Sequence, residues 1–293
     1  MNYRYTAVIA TVSNSFCDAV LDYAVSRYDY YRVLLWTSFT AFVLQLCWGV
    51  VTHISFSVVS LPFVFIHAVL VLAGYICFVR SLVFIPVALV GLIESSSLFL
   101  TFMIDAALGY IQVTFYFATM FLLFVFSVFL FAGDCLTGGR QCFKQLKPVG
   151  FFWVLASVLF YVSAPYLVKL SDGAGANETA INLGYYLVAV PYFGRQFLKA
   201  RSGRDAAMRE MARGLRQNFY SLCLLIGILE AVYYVFETFS FINDAPTVVV
   251  VIEQMRIFLL FILSVLFKTD SFSLRKTIAL CLGVVSVIGV YLN

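Results

Sequence analysis

Charge is what this sequence has least of. Asp, Glu, Lys and Arg supply 12% of its 293 residues, where a soluble globular chain carries about 25%. So few charges cannot cover a water-facing surface of this size, which excludes a soluble enzyme, a disordered chain and a nucleic-acid module. A disulfide scaffold is excluded as well, because the seven cysteines are an odd, dispersed set lying mostly inside apolar runs. Only Cys135 and Cys142 share a loop, and two thiols alone do not make a structural metal site. HExxH, paired CxxC, a Gly-rich phosphate loop and a Ser-His-Asp set are all missing, so no motif points to catalysis or to a cofactor. His53, His67 and Gln45 are isolated polar residues, each expected to be held by a hydrogen bond rather than to bind a ligand.

What the chain does have is apolar bulk: 63% hydrophobic residues and a mean hydropathy of +0.97. Residues 110–132 and similar runs are apolar all round rather than alternating, which favours helices over a transmembrane barrel. A helix needs roughly 20 such residues to cross the hydrocarbon core. On that basis ten helices are predicted, at about 7–25, 32–51, 57–78, 82–105, 110–132, 149–169, 179–197, 217–240, 246–267 and 273–292, with ends uncertain by about two to four residues. The fold class is an all-α polytopic membrane protein. The first apolar stretch contains Asn14, Asp18 and Asp22 and no small-residue cleavage site, so it reads as a retained helix rather than a signal peptide.

The basic residues cluster on one side. Sixteen of the 19 Lys and Arg fall in the odd-numbered loops, seven of them between Arg195 and Arg216. The positive-inside rule then places those loops in the cytoplasm, in a cell (inner) membrane, with both termini outside. The sequon Asn177-Glu178-Thr179 falls on the outer side, where glycosylation is permitted. Within 195–216, Met208, Met211 and Leu215 recur on one helical face among arginines. Such a segment suits anionic lipid headgroups, the alternative being a solvated basic loop.

The chain also repeats itself. Residues 1–132 and 149–293 hold five predicted helices each, joined by a basic linker at 133–148. An offset of 159 residues aligns Glu94 with Glu253, Tyr75 with Tyr234, Val90 with Val249 and Phe99 with Phe258. An odd number of helices per copy inverts the second one, giving 5+5 inverted repeats, an arrangement that secondary transporters use around a midplane site.

Charges inside the bilayer cost about 3 kcal/mol or more, so they persist where they face a cavity, a partner or a substrate. Glu94, near the middle of its helix, has Gly91 a turn before it and Ser97 and Thr101 on the same side. Glu253 and Arg256, three apart, either pair with each other or clamp a zwitterion. Glu230 and Glu237 lie two turns apart around Tyr233 and Tyr234, with Glu237 placed closer to a membrane edge. Asp18 follows Asn14 on a polar stripe of the first helix. Tyr75, Tyr234 and Tyr161 are candidates for a cation–π box, ordinary packing being the alternative.

The run from Gly227 to Leu292, beginning GILEAVYYVFETFSFINDAP, resembles the second half of an EamA-type repeat of the drug/metabolite transporter superfamily. Residues 74–132 resemble the same unit in the first half, and residues 151–170 resemble the helix that opens the second. Leu98 and Ile257 stand near places where that family usually has proline. The resemblance implies that the first four helices of each half line a cavity, and that the fifth and tenth are supports or contacts of a homodimer. It also implies cytoplasmic termini, the reverse of the charge count. The function expected is secondary transport of a small polar, cationic or zwitterionic metabolite such as an amino acid or amine. Glu94, Glu253, Asp18 and Glu230 would serve substrate or proton, Arg256 an acidic group, and the tyrosines a cation. A lipid-linked substrate flippase and a receptor or assembly subunit that transports nothing are the alternatives.

Overall fold

A computed structural model describes residues 3–25, 27–82, 84, 93, 96–137, 148–203, 216–256, 258–259, 262 and 274–292. Those residues form ten helices and no strand: α1 (Tyr3–Val25), α2 (Tyr30–Thr52), α3 (Leu61–Leu82), α4 (Ser96–Leu108), α5 (Phe115–Thr137), α6 (Pro148–Gly173), α7 (Glu178–Gly203), α8 (Arg216–Asn243), α9 (Pro246–Glu253) and α10 (Leu274–Leu292). Four of them, α2, α3, α6 and α8, are long and apolar enough to cross a membrane. Their surroundings agree with a lipid solvent. Leu122, Phe126, Leu159 and Leu187 point outward, while Ser15, Thr37, Gln45, Asp105, Ser127, Ser157 and Asn182 are buried. Water would select the opposite arrangement. The chain is a helical membrane protein.

Local chemistry explains where helices begin. Asp29 caps α2 by accepting from the Arg32 amide at 3.1 Å. Thr114 Oγ1 accepts from the Phe117 amide at 3.0 Å, so α5 starts at Phe115 and not at 110 as predicted. Ser57 and Ser60 exchange side-chain and amide hydrogen bonds, which holds 57–60 in a turn and delays α3 to Leu61. Such side chains offer the backbone a competing local partner at helix starts. Asn177 caps α7, its Oδ1 accepting from the Ala180 amide at 3.0 Å while its Nδ2 donates to the His53 carbonyl at 3.1 Å. The sequon asparagine thereby ties the α2 end to the α7 start. α6 and α7 run further than predicted, to Gly173 and Gly203.

The helices pair across the two halves of the chain. α3 packs on α6, α1 on α8, α2 on α7 and on α8, α3 on α7, α5 on α10 and α4 on α9, with lighter contacts of α1 on α9 and α4 on α6. Small residues permit the close crossings. A Cβ on Gly227 of α8 would fall 2.6 Å from Thr40 Cβ and 2.9 Å from the Thr37 carbonyl of α2. Hydroxyls bridge helices too: Ser13 Oγ donates to the Leu229 carbonyl at 2.9 Å, linking α1 to α8, and Ser157 Oγ donates to the Gly74 carbonyl at 3.1 Å, linking α6 to α3. Two residues aligned by the 159-residue offset differ in surroundings, since Phe99 is exposed and Phe258 is fully buried.

Candidate substrate site

α9 is the element that organises the interior. Pro246 opens it, and its first eight residues run to Glu253. Gln254 keeps helical backbone angles (φ −65°, ψ −13°) and its amide donates to the Val250 carbonyl at 3.0 Å, so the helix predicted over 246–267 carries on through Arg256 among the described residues. Glu253 and Arg256 lie at this end of it.

The charged groups converge here. Arg256 Nη1 lies 3.3 Å from Asp18 Oδ2 on α1, and the two side chains stay 39% and 36% exposed. Glu237 of α8 faces Glu253 closely enough for their carboxyls to interact directly. The Tyr233 hydroxyl donates to Glu237 Oε1 in a short hydrogen bond. Glu253 Oε1 is buried and has no hydrogen-bond partner among the described residues. Glu230, two turns before Glu237, lies beside Tyr186. The Tyr186 residue is fully buried, and its hydroxyl makes no well-formed hydrogen bond. Glu230, Tyr233, Tyr234, Glu237, Glu253 and Arg256 all keep partial exposure although protein encloses the glutamates. They form one partly exposed cluster.

Tyrosines form the neighbouring wall. The Tyr234 ring lies 5.1 Å from Tyr185, 5.8 Å from Tyr186 and 4.9 Å from Tyr233. The hydroxyls of Tyr30 and Tyr75 are 2.6 Å apart, and Tyr75 belongs to the same apolar cluster as Tyr185, Tyr186 and Tyr234. A Cβ added at Gly74 would lie 3.2 Å from the Tyr161 ring, which places Tyr161 beside Tyr75.

Polar contacts tie α4, α6, α8 and α9 together and α1 to α8. Asp105, fully buried on α4, accepts from the Tyr166 hydroxyl of α6 at 2.8 Å and from the Thr247 amide of α9 at 2.6 Å. α9 has no side-chain cap of its own at Ala245, so Asp105 supplies one from another helix, where a carboxylate also meets the positive end of the helix dipole. Lys169 Nζ donates to the Ile242 carbonyl at 3.4 Å and sits 5.4 Å from the Tyr110 ring centroid. Thr6 and Ser240 meet at 2.6 Å.

Sequence reasoning had singled out Asp18, Glu230, Glu253, Arg256, Tyr75, Tyr161 and Tyr234, and these share this interior. Glu94, with Gly91 beside it, lies outside the described residues, as do Met208, Met211 and Leu215. Glu237 stands in the middle of the cluster and not at an edge, because α8 continues to Asn243. Its place was visible as the i+7 partner of Glu230 on one helix face. Asp105 was missed because the helix had been ended there; as the lone acid of α4 it was the available signal. His67 departs from expectation, being buried with Nδ1 unpartnered among the described residues. Gln45 is half satisfied, its Nε2 donating to the Ala231 carbonyl at 2.9 Å and its Oε1 unpartnered. The described residues contain no cluster of His, Cys, Asp and Glu able to hold a metal ion.

The whole architecture has a counterpart among solved proteins. One crystal structure superposes with a TM-score of 0.74 at 14% sequence identity, covering 99% of this chain and 95% of that one. At that identity the likeness speaks for the fold. No family model matches the sequence, and no curated protein matches it.

Proposed function

We propose that this protein is a secondary transporter of a small cationic or zwitterionic metabolite, built as two inverted five-helix repeats and related to the EamA-type drug/metabolite transporters. The observation that carries the reading is the cluster itself, in which four carboxyls, one arginine and a tyrosine wall gather beside the end of α9 inside a lipid-facing bundle. Intramembrane ionisable groups facing a cavity mark substrate or ion pathways. A buried carboxyl can hold either a proton or a cation, and tyrosine faces attract cations.

The packing supports the repeat. Exchanging each helix with the one five places on turns α1–α8 into α6–α3, α2–α8 into α7–α3 and α1–α9 into α6–α4, and leaves α2–α7, α4–α9 and α5–α10 in place. The serine bridges follow the same exchange, Ser13 to Leu229 and Ser157 to Gly74. The contacts of Asp105 and Lys169, set against the partial exposure of Asp18 and Arg256, are compatible with a state closed on one side. The sequence carries no Gly-rich phosphate loop, so a gradient or exchange would supply the energy.

The test is uptake of radiolabelled amines and amino acids by sealed vesicles holding the purified protein. Glu253→Gln and Glu94→Gln are expected to lower uptake and alter its pH dependence. If both leave rate and pH profile unchanged, the carboxylate mechanism is wrong. Movement of a lipid headgroup reporter without solute uptake would support the flippase alternative.

A further inference from the structure

The arrangement of acids in the cluster separates substrates that the proposed function leaves together. Arg256, the group that would take a carboxylate, already has Asp18 against it at 3.3 Å. A zwitterion would have to compete with that ion pair for its acidic end. The remaining carboxyls fall into two groups. Glu230 stands with Tyr186 on one side, and Glu237 and Glu253 stand together with Tyr233 on the other. Glu230 and Glu237 are seven residues apart on α8, hence on one face and separated by about 10.5 Å along the helix axis. Tyr233 and Tyr234 lie on that face between them.

One group keeps an unsatisfied polar atom. Glu253 Oε1 is buried and unpartnered among the described residues, while the buried Tyr186 hydroxyl faces Glu230 at the other end. Buried polar atoms are normally paired, so the orphan at Glu253 marks a place where something else bonds.

We infer that the substrate carries two cationic centres: Glu230 at one end and the Glu237–Glu253 pair at the other form a two-point clamp for a linear diamine or short polyamine. This rests on the transport reading above. Bonds of about 1.5 Å advance an extended chain by roughly 1.25 Å each, so a diamine of about three to four carbons sets its ammonium groups roughly 5–6 Å apart. An ammonium–carboxylate hydrogen bond of about 2.8 Å at each end then spans the gap between the acids. The methylene stem would lie along Tyr233 and Tyr234, which accept both apolar and cationic contact.

The experiment is isothermal titration of the purified full-length protein with a series of linear diamines of roughly two to eight carbons, with butylamine and a neutral amino acid alongside. The expected result is tightest binding at about three to four carbons and about tenfold or more weaker binding of butylamine, which leaves one end of the clamp empty. Glu230→Gln is expected to remove the length preference, bringing diamine and butylamine affinities together. The unmodified protein's length profile stands as evidence even if that variant folds poorly. Equal affinity for butylamine and every diamine, or tighter binding of the amino acid, overturns the clamp and leaves small-metabolite transport standing. Absence of binding and of vesicle uptake for every compound in the series overturns both.

Discussion

Asn177 and Arg256 illustrate how single side chains are committed in this protein. Asn177 spends its carbonyl on the Ala180 amide and its amide on His53. Asn177→Ala should lower stability by about 1 kcal/mol, the usual cost of losing such a cap, read as a lower thermal midpoint in detergent. Arg256 and Asp18 are partly exposed, so their pairing is worth about 1 kcal/mol or less to stability. Asp18→Asn should therefore leave the thermal midpoint nearly unchanged while altering substrate affinity, because it frees the guanidinium beside the acids. An equal loss of stability and of binding would instead make the pair a structural one. Asp18, Glu253 and Arg256 were legible in the sequence because charge inside an apolar run is rare. The pairing of Asp18 with Arg256 was not. Spacing of three suggested Glu253 with Arg256, and those two charges do interact; the contact of Arg256 with Asp18 joins two distant helices, which spacing along one helix does not register.

At the scale of elements, α9 depends on a residue from a distant part of the chain. Its first turn is capped by Asp105 of α4, which also takes the Tyr166 hydroxyl of α6. Asp105→Ala should cost about 1–3 kcal/mol by leaving buried donors unpaired. It should also loosen the seat of α9, so that a cysteine introduced as Thr11→Cys, on α1 where the buried Thr11 hydroxyl meets the Ile252 carbonyl of α9, reacts faster with a thiol reagent than in the parent background. The α2–α8 crossing makes a different demand. Gly227→Val would press a side chain against the Thr37 carbonyl and Thr40, and overpacking of this kind costs about 1–3 kcal/mol. The thermal midpoint should fall accordingly, and by more than for a Gly→Val change at Gly173, where a Cβ meets nothing within 4 Å. Helix existence was readable from apolar run length. Helix starts were not, because Ser57, Ser60 and Thr114 act through hydrogen bonds that hydropathy does not register.

For the molecule as a whole, the distribution of Lys and Arg predicts orientation. In a background without reactive cysteines, Gly175→Cys, before α7, should label from outside intact cells with a membrane-impermeant maleimide, and Gly203→Cys, at the end of α7, only after permeabilisation. Labelling of Gly203→Cys from outside would reverse the topology. Apolar content, the number of long runs and the sidedness of charge follow from composition and order along the chain, since each residue's transfer free energy into lipid acts locally. Which helices meet, that Asp105 caps α9, and that Glu230, Glu237 and Glu253 gather in one cluster were decided by the tertiary structure. Those relations join residues as far apart as Asp18 and Arg256, and they come from packing of whole helices, for which one apolar face offers nearly the same attraction as another.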